Sequence, residues 1–245
     1  MFKALFLLLR NFTSFKIYFF LLRSYLLKNR LKKFQNKKIE FIKRIEGKTF
    51  TNDWFTHNIP SWLFIFKQCN LAKKNKLNIL EIGSYEGMST LFLLQSFPKL
   101  IITCVDIWGK SSKSIYQENY ENLSKAQKMK LSIEDRFDQN TKSFQKRIKK
   151  IRTSSLSFFS QDQKSNYYDL IYIDGSHYAD DVMTDSVLAF NLLKKNGILI
   201  FDDYLWWYYS NPRKNPSAAI NLFLKLKADS LKIIFVGYQI AIQKI

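Results

Sequence analysis

The sequence predicts an open, doubly wound α/β sheet, mostly parallel, preceded by a helical extension. Three observations carry this. From residue 77 onward, runs of strand length alternate with helical patterns. Several runs are apolar throughout, as in Asp169-Leu170-Ile171-Tyr172-Ile173, which indicates strands buried on both faces. The first strand, Asn78 to Ile82, runs into a turn holding Gly83 and Gly87, and a helical pattern follows through Leu94. Glycine lets the backbone approach a ligand, and the helix start aims free N–H groups at it.

The elements are expected in this order. Residues 50–76 hold Asp53-Trp54-Phe55-Thr56-His57-Asn58-Ile59-Pro60 and then a helix through Leu71. Strand 77–82, helix 87–97 and strand 100–106 follow, then helical patterns over 114–145 and a strand at about 148–153. Strand 168–174, helix 179–195, strand 197–202 and helix 216–228 come next, with strands 231–236 and 239–244 last. Only Gly237-Tyr238 separates the final two, so the last strand should be antiparallel to its neighbour.

The first 47 residues form a separate expected unit, with the α/β domain over 48–245. Residues 2–31 are apolar, but Arg10, Lys16 and Arg23 interrupt them. A spanning helix needs ~20 nearly uncharged residues, and no such run exists. Phe12, Phe15, Phe19, Leu22 and Leu26 share one helical face, with Lys3, Arg10, Ser14, Ser24 and Lys28 on the other side; Leu7 and Leu21 blemish that polar side. Two readings stand side by side. Residues 1–38 make peripheral contact with an anionic membrane, aided by the Lys-rich stretch Lys28 to Lys38, or the helix packs on its own domain or on a second subunit as a homo-oligomer. There is no clean apolar core with a small-residue cleavage site, so a cytoplasmic location is expected, at the inner face of the membrane if the helix binds lipid.

The chain carries a formal charge of +19 over 245 residues. Of 39 basic residues 31 are Lys, and the first 39 positions hold ten basic residues and no acid. The rest holds 29 basic and 20 acidic residues, or +9. A basic arm fits this better than a duplex-binding face, so no specific nucleic-acid partner is expected. Cys69 and Cys104 lie in no metal-type or CxxC spacing, which argues against a disulfide framework or a zinc site.

Four motifs carry chemistry. The glycine loop Leu80-Glu81-Ile82-Gly83-Ser84-Tyr85-Glu86-Gly87-Met88-Ser89 is the first. Asp106, about twenty residues on, ends the next strand, where a carboxylate can accept from both hydroxyls of a ribose. Ile173-Asp174-Gly175-Ser176-His177 and Phe201-Asp202-Asp203-Tyr204 end two further strands. Acids converging there would repel unless a hard divalent ion such as Mg²⁺ sat among them; otherwise the Asp pair caps its loop.

Together these residues resemble class I S-adenosylmethionine-dependent methyltransferases with a Rossmann-like sheet, and most nearly the metal-dependent sugar- and catechol-type O-methyltransferases. The resemblance covers residues 50–245. It implies that Glu81, Gly83, Ser84, Gly87 and Ser89 line the cofactor, that Asp106 holds the ribose, and that Ser154 or Ser155 lies near the adenine. It implies Asp174, Asp202 and Asp203 as metal ligands, with Asp174 also catalytic. Some sugar-modifying relatives carry an Asp two residues past the first ligand; Ser176 stands there and is a poor base. His177 is then the best local base, with a structural role weighed beside it. The expected reaction is methyl transfer to a hydroxyl of a small molecule or glycan sugar. An N-methyltransferase and a non-catalytic membrane-attached binding protein are the alternatives; the absence of an Asn/Asp-Pro-Pro-Tyr/Phe element counts against base amino-methylation.

Overall fold

A computed structural model describes residues 2–11, 13–109, 131–161 and 164–245. Phe12 and the first part of the helical pattern expected over 114–145 lie outside the described residues. Among the described residues seven strands form one sheet: β1 Leu77–Ile82, β2 Leu100–Asp106, β3 Ile148–Arg152, β4 Tyr168–Ile173, β5 Leu193–Phe201, β6 Leu231–Val236 and β7 Ile240–Lys244. Their spatial order is β3-β2-β1-β4-β5-β7-β6. The pairs from β3 to β5 are parallel, while β7 lies antiparallel to both β5 and β6. The hairpin expected at Gly237-Tyr238 is therefore present. β7 inserts between β5 and β6, which residue spacing alone did not disclose.

Among the described residues the helices are α1 Phe2–Arg10, α2 Phe15–Leu26, α3 Lys28–Lys32, α4 Gln35–Arg44, α5 Ile59–Gln68, α6 Met88–Ser96, α7 Ile133–Thr141, α8 Ser155–Gln161, α9 Ala179–Leu192 and α10 Pro216–Leu226. The period-two alternation of the strands feeds two apolar layers. Leu80, Ile82, Ile171, Ile173, Leu199 and Phe201 pack with α9 and α10 on one face. Ile79, Ile102, Leu170, Tyr172, Ile198 and Ile200 pack with Ile59, Trp62, Ile65, Leu91 and Phe92 on the other. The N-terminal helices belong to these layers: Leu8 and Ile17 join the first, Phe41 and Ile45 the second.

Polar contacts fix that seat. The Asn11 amide donates to Ser217 Oγ at 2.7 Å and to the Pro212 carbonyl at 3.1 Å. The Asn221 amide donates to Thr13 Oγ1 at 2.8 Å and to the Asn11 carbonyl at 3.1 Å. Tyr204, one residue past the Asp pair, donates its hydroxyl to Asn221 Oδ1 at 2.8 Å. Among the described residues no helix is long and apolar enough to cross a membrane.

Candidate active site

The ladder runs one residue past the strand ends. Gly83 N–H donates to the Val105 carbonyl, Asp174 N–H to Ile82 and Asp202 N–H to Ile173, at 2.8, 2.8 and 2.9 Å. Ile82 stands opposite Val105 and Ile173, and Ile173 opposite Phe201. Gly83, Asp106, Asp174 and Asp202 therefore form a row along the carboxyl edge, where strand order reverses and open α/β sheets bind ligands. Gly83 has φ +85°, and a Cβ there would lie 1.9 Å from the Asp174 carbonyl oxygen. Only glycine lets the loop leave β1 so close to β4.

Asp106 binds the loop from the β2 side. Its Oδ2 accepts from Tyr85 N–H and its Oδ1 from Trp108 N–H, both at 2.8 Å, and the Trp108 indole donates to the Tyr85 carbonyl at 2.8 Å. Each carboxylate oxygen keeps a second lone pair, so the acceptor set fits a ribose diol. The Trp54 ring stands 5.2 Å from that of Tyr85 over the same loop.

Glu81 and Ser89 bond each other beneath the loop. Ser89 Oγ donates to Glu81 Oε1 at 2.6 Å, and the Thr90 hydroxyl donates to the other oxygen. Glu81 is fully buried, and that burial raises its pKa against the hydroxyls that lower it. The carboxylate thus ties the start of α6 to the end of β1. Ser84 is also buried, while Gly87, with φ +83°, opens α6 against Phe137 and Thr141. Ser155 opens α8. Its hydroxyl bonds Asp185 of α9, whose carboxyl burial lifts to about 6. Ser154 accepts from Ser157 N–H at 3.2 Å in the first turn of α8.

A buried ion pair braces the loop from below. Arg136 Nε lies 2.6 Å from Glu86 Oε1, with both side chains almost fully buried. Thr51 N–H donates to Glu86 Oε2 at 2.6 Å, and the Asn140 amide donates to the Glu86 carbonyl at 3.0 Å. Every acceptor on a desolvated carboxylate must be met this way.

At the far end of the row, Asp174, His177 and Asp203 bring ligand-type atoms within 4.8 Å of one another. His177 Nε2 stands 2.5 Å from Asp203 Oδ2, and the Tyr238 hydroxyl donates to Asp203 Oδ1 at 2.7 Å. Asp203 holds φ +55°, a strained backbone for a non-glycine residue, which its partners enforce. Asp202 lies beside the same cavity but is held by partners of its own. It accepts from the Gln239 amide at 2.7 Å, from Asp203 N–H at 2.7 Å and from the Tyr172 hydroxyl. Of the three carboxylates expected around one ion, the structure brings Asp174 and Asp203 together, with His177 as third member and Asp202 as a buttress.

The Tyr172 hydroxyl also lies 2.8 Å from Asp174 Oδ2. One O–H donates to only one acceptor at a time. Burial, then the charge of Asp202, holds Asp174 well above the usual carboxylate range; burial, then Asp203, lifts Asp202 to about 7. Burial, then Asp174, raises Tyr172 as well. Burial alone would lower His177, but the charge of Asp203 and the hydrogen bond to it outweigh that and raise it. A cation relieves acids held above their range by burial and, after it, by one another's charge. A cavity of about 10 Å³, room for one water-sized particle, is lined by Asp174, Ser176, Asp202 and Asp203 together with Ile173, Val182, Phe201 and Pro216. The residues fit a small divalent ion. Ser176 is spent on Asp181, its hydroxyl 2.6 Å from that carboxylate.

An aromatic wall leads outward. The His177 ring lies 5.0 Å from Trp206, which meets Tyr208 at 5.2 Å and Tyr209 at 4.6 Å. Trp207 and Tyr208 stack at 5.0 Å and 11°. Lys3 of α1 stands 4.1 Å over Trp207, and a groove of about 480 Å³ separates α1 from this aromatic loop. Before the short helix Thr56–Asn58, Asp53 accepts from Thr56 N–H at 2.8 Å, and burial lowers the pKa of His57.

Sequence reasoning missed Tyr172, Tyr238, Gln239, Glu86 and Arg136. Tyr172 had a signal: two residues before Asp174 on a strand, it shares that residue's face. Gln239 had another, as a lone amide entering an apolar strand. Glu86 and Arg136 had none, since fifty residues separate the partners.

A family model described as "Methyltransferase domain" matches residues 80–204, just over half of the chain. An uncharacterized protein of Acanthamoeba polyphaga mimivirus is 29% identical over 135 residues, which span 55% of this chain and 55% of that protein. The chain thus aligns with about half the length of this curated relative. An O-methyltransferase from Bacillus cereus, solved with SAH, superposes with TM-score 0.52 at 15% identity, covering 93% of this chain and 100% of that one. MycE methyltransferase from the mycinamycin pathway, solved with Mg, SAH and mycinamycin VI, gives TM-score 0.53 at 16% identity over 84% of this chain and 53% of that one. The likeness to these solved proteins is one of fold.

Proposed function

The chain belongs to the methyltransferase domain family, and from that premise we propose that it moves a methyl group from S-adenosylmethionine to a hydroxyl of a small molecule or glycan sugar. The observation that carries the hydroxyl reading is the meeting of Asp174, His177 and Asp203 on the same sheet edge as the glycine loop. When bound, the cofactor's sulfonium supplies an activated methyl group. Asp106 holds the ribose, and the Gly83–Gly87 turn lets the backbone come close to the rest of the cofactor.

His177 takes the proton of the acceptor hydroxyl. Asp203 orients its ring and offsets the imidazolium charge, and Trp206 screens it from water. Asp174 and Asp203 would hold a divalent ion such as Mg²⁺, which would lower the acceptor's pKa. Asp202, fixed by Tyr172 and Gln239, keeps both ligands in place. The stacked Trp207 and Tyr208 give a sugar or an aromatic ring a face to lie on.

The test measures S-adenosylhomocysteine release over a panel of hydroxylated acceptors, with cofactor binding followed by calorimetry. His177→Gln should cut turnover about 10²–10⁴-fold while leaving cofactor affinity within about twofold. Wild-type protein that does not bind S-adenosylmethionine sinks the proposal. Turnover unmoved by His177→Gln removes the proposed base, and turnover unmoved by a chelator removes the ion.

A further inference from the structure

Helix α2 is apolar on two sides. At about 100° per residue, Ile17, Phe20, Leu21 and Ser24 share one side, and that side faces the domain, with Ile17 only 1% exposed. Phe15, Phe19, Leu22 and Leu26 fall within about 60° of each other on the opposite side. Among the described residues nothing covers them: Phe15 is 94% exposed and Leu26 70%. Phe6 and Leu9 of α1 are exposed as well. Buried large apolar side chains need no further explanation, but a contiguous uncovered set of this size does.

Charge identifies the occupant. Lys16 and Arg23 flank the uncovered side of α2, and Lys28, Arg30, Lys32 and Lys33 follow it, all exposed. Residues 1–39 contain no acid to neutralise them. A second copy seated on this face would bring two cationic rows together, at a repulsive cost. An anionic bilayer surface satisfies both halves of the pattern, with acyl chains for the aromatic and aliphatic groups and headgroups for the lysines.

We propose that the outer side of α2, with Phe15, Phe19, Leu22 and Leu26 inserted, docks the folded protein on an anionic lipid bilayer. α2 seats its other side on the sheet at β6, and α1 forms a wall of the groove beside Trp207 and Tyr208. The docked protein therefore presents that groove close to the lipid plane. The inference stands independently of the methyl-transfer reading.

The experiment is flotation of the full-length chain with vesicles of phosphatidylglycerol and phosphatidylcholine, against pure phosphatidylcholine vesicles. Binding should need the anionic lipid and weaken with added salt. Phe15→Glu/Phe19→Glu should weaken it at least tenfold, while its urea midpoint matches wild type, because both side chains lie outside the core. Binding that the double variant leaves unchanged overturns the proposal. So does a wild-type dimer in sedimentation that the variant turns into monomer without any vesicle binding, since a second copy would then cover the face.

Discussion

Asp185→Asn isolates one buried charge. Asp185 is buried on α9 with the Ser155 hydroxyl as its partner, and its carboxyl is pushed from 3.8 to about 6, first by burial and then by the charge of Asp181, against the Ser155 bond. The folded state therefore binds this proton more tightly than the unfolded chain does. Below the unfolded value both states are protonated and the site costs nothing. As pH rises through that window the folded state must ionise a buried group, so stability is lost, and above the folded value the loss is complete. The move from 3.8 to about 6 corresponds to about 3 kcal/mol. The amide has no charge to bury and can still accept from Ser155. Urea denaturation of both proteins at pH 4 and pH 7 is the assay. Asp185→Asn should be more stable by about 1–3 kcal/mol at pH 7 and within about 0.5 kcal/mol at pH 4. An equal change at both pH values, or destabilisation at pH 7, would refute the reasoning.

Gly83→Ala places a methyl group on the Asp174 carbonyl at a left-handed backbone position. It should cost about 2–5 kcal/mol in chemical denaturation and abolish cofactor binding in calorimetry. Arg136→Met leaves the Glu86 carboxylate buried without its cation and should cost about 3–5 kcal/mol; adding Glu86→Gln should recover more than half of that if charge, and not packing, is at fault.

Much of the fold was legible because it rests on local rules. Apolar runs gave β1, β4 and β5, and the short gap at Gly237-Tyr238 gave the hairpin. Helix α8 escaped notice, since seven residues with paired serines and phenylalanines have no clear period. The site was legible where chemistry sits at a strand end: Asp106, Asp174 and Asp203 all stand on the expected edge. It was illegible where direction decides. Asp202 and Asp203 are neighbours, and no composition or spacing says that the positive φ of Asp203 turns it toward His177 while Asp202 turns to Gln239. Glu81, Ser89 and Ser155 show the same limit, since polar side chains near a ligand loop can point into the protein instead. The N-terminal segment was read either as a membrane-contacting helix or as one packed on its own domain or on a second subunit; Ile17 and Leu21, on the side opposite Phe15 and Phe19, do pack into the interior.

The hydrogen-bond chain from Asn11 through Asn221 to Tyr204 has a practical consequence. Cutting at the boundary expected after residue 47 would remove both acceptors of the Asn221 amide and strip Leu8, Ile17, Phe41 and Ile45 from two cores. The shortened polypeptide would carry a raw apolar wound and a slackened tether next to its candidate base, so dissection of this molecule has to proceed by point changes rather than by deletion.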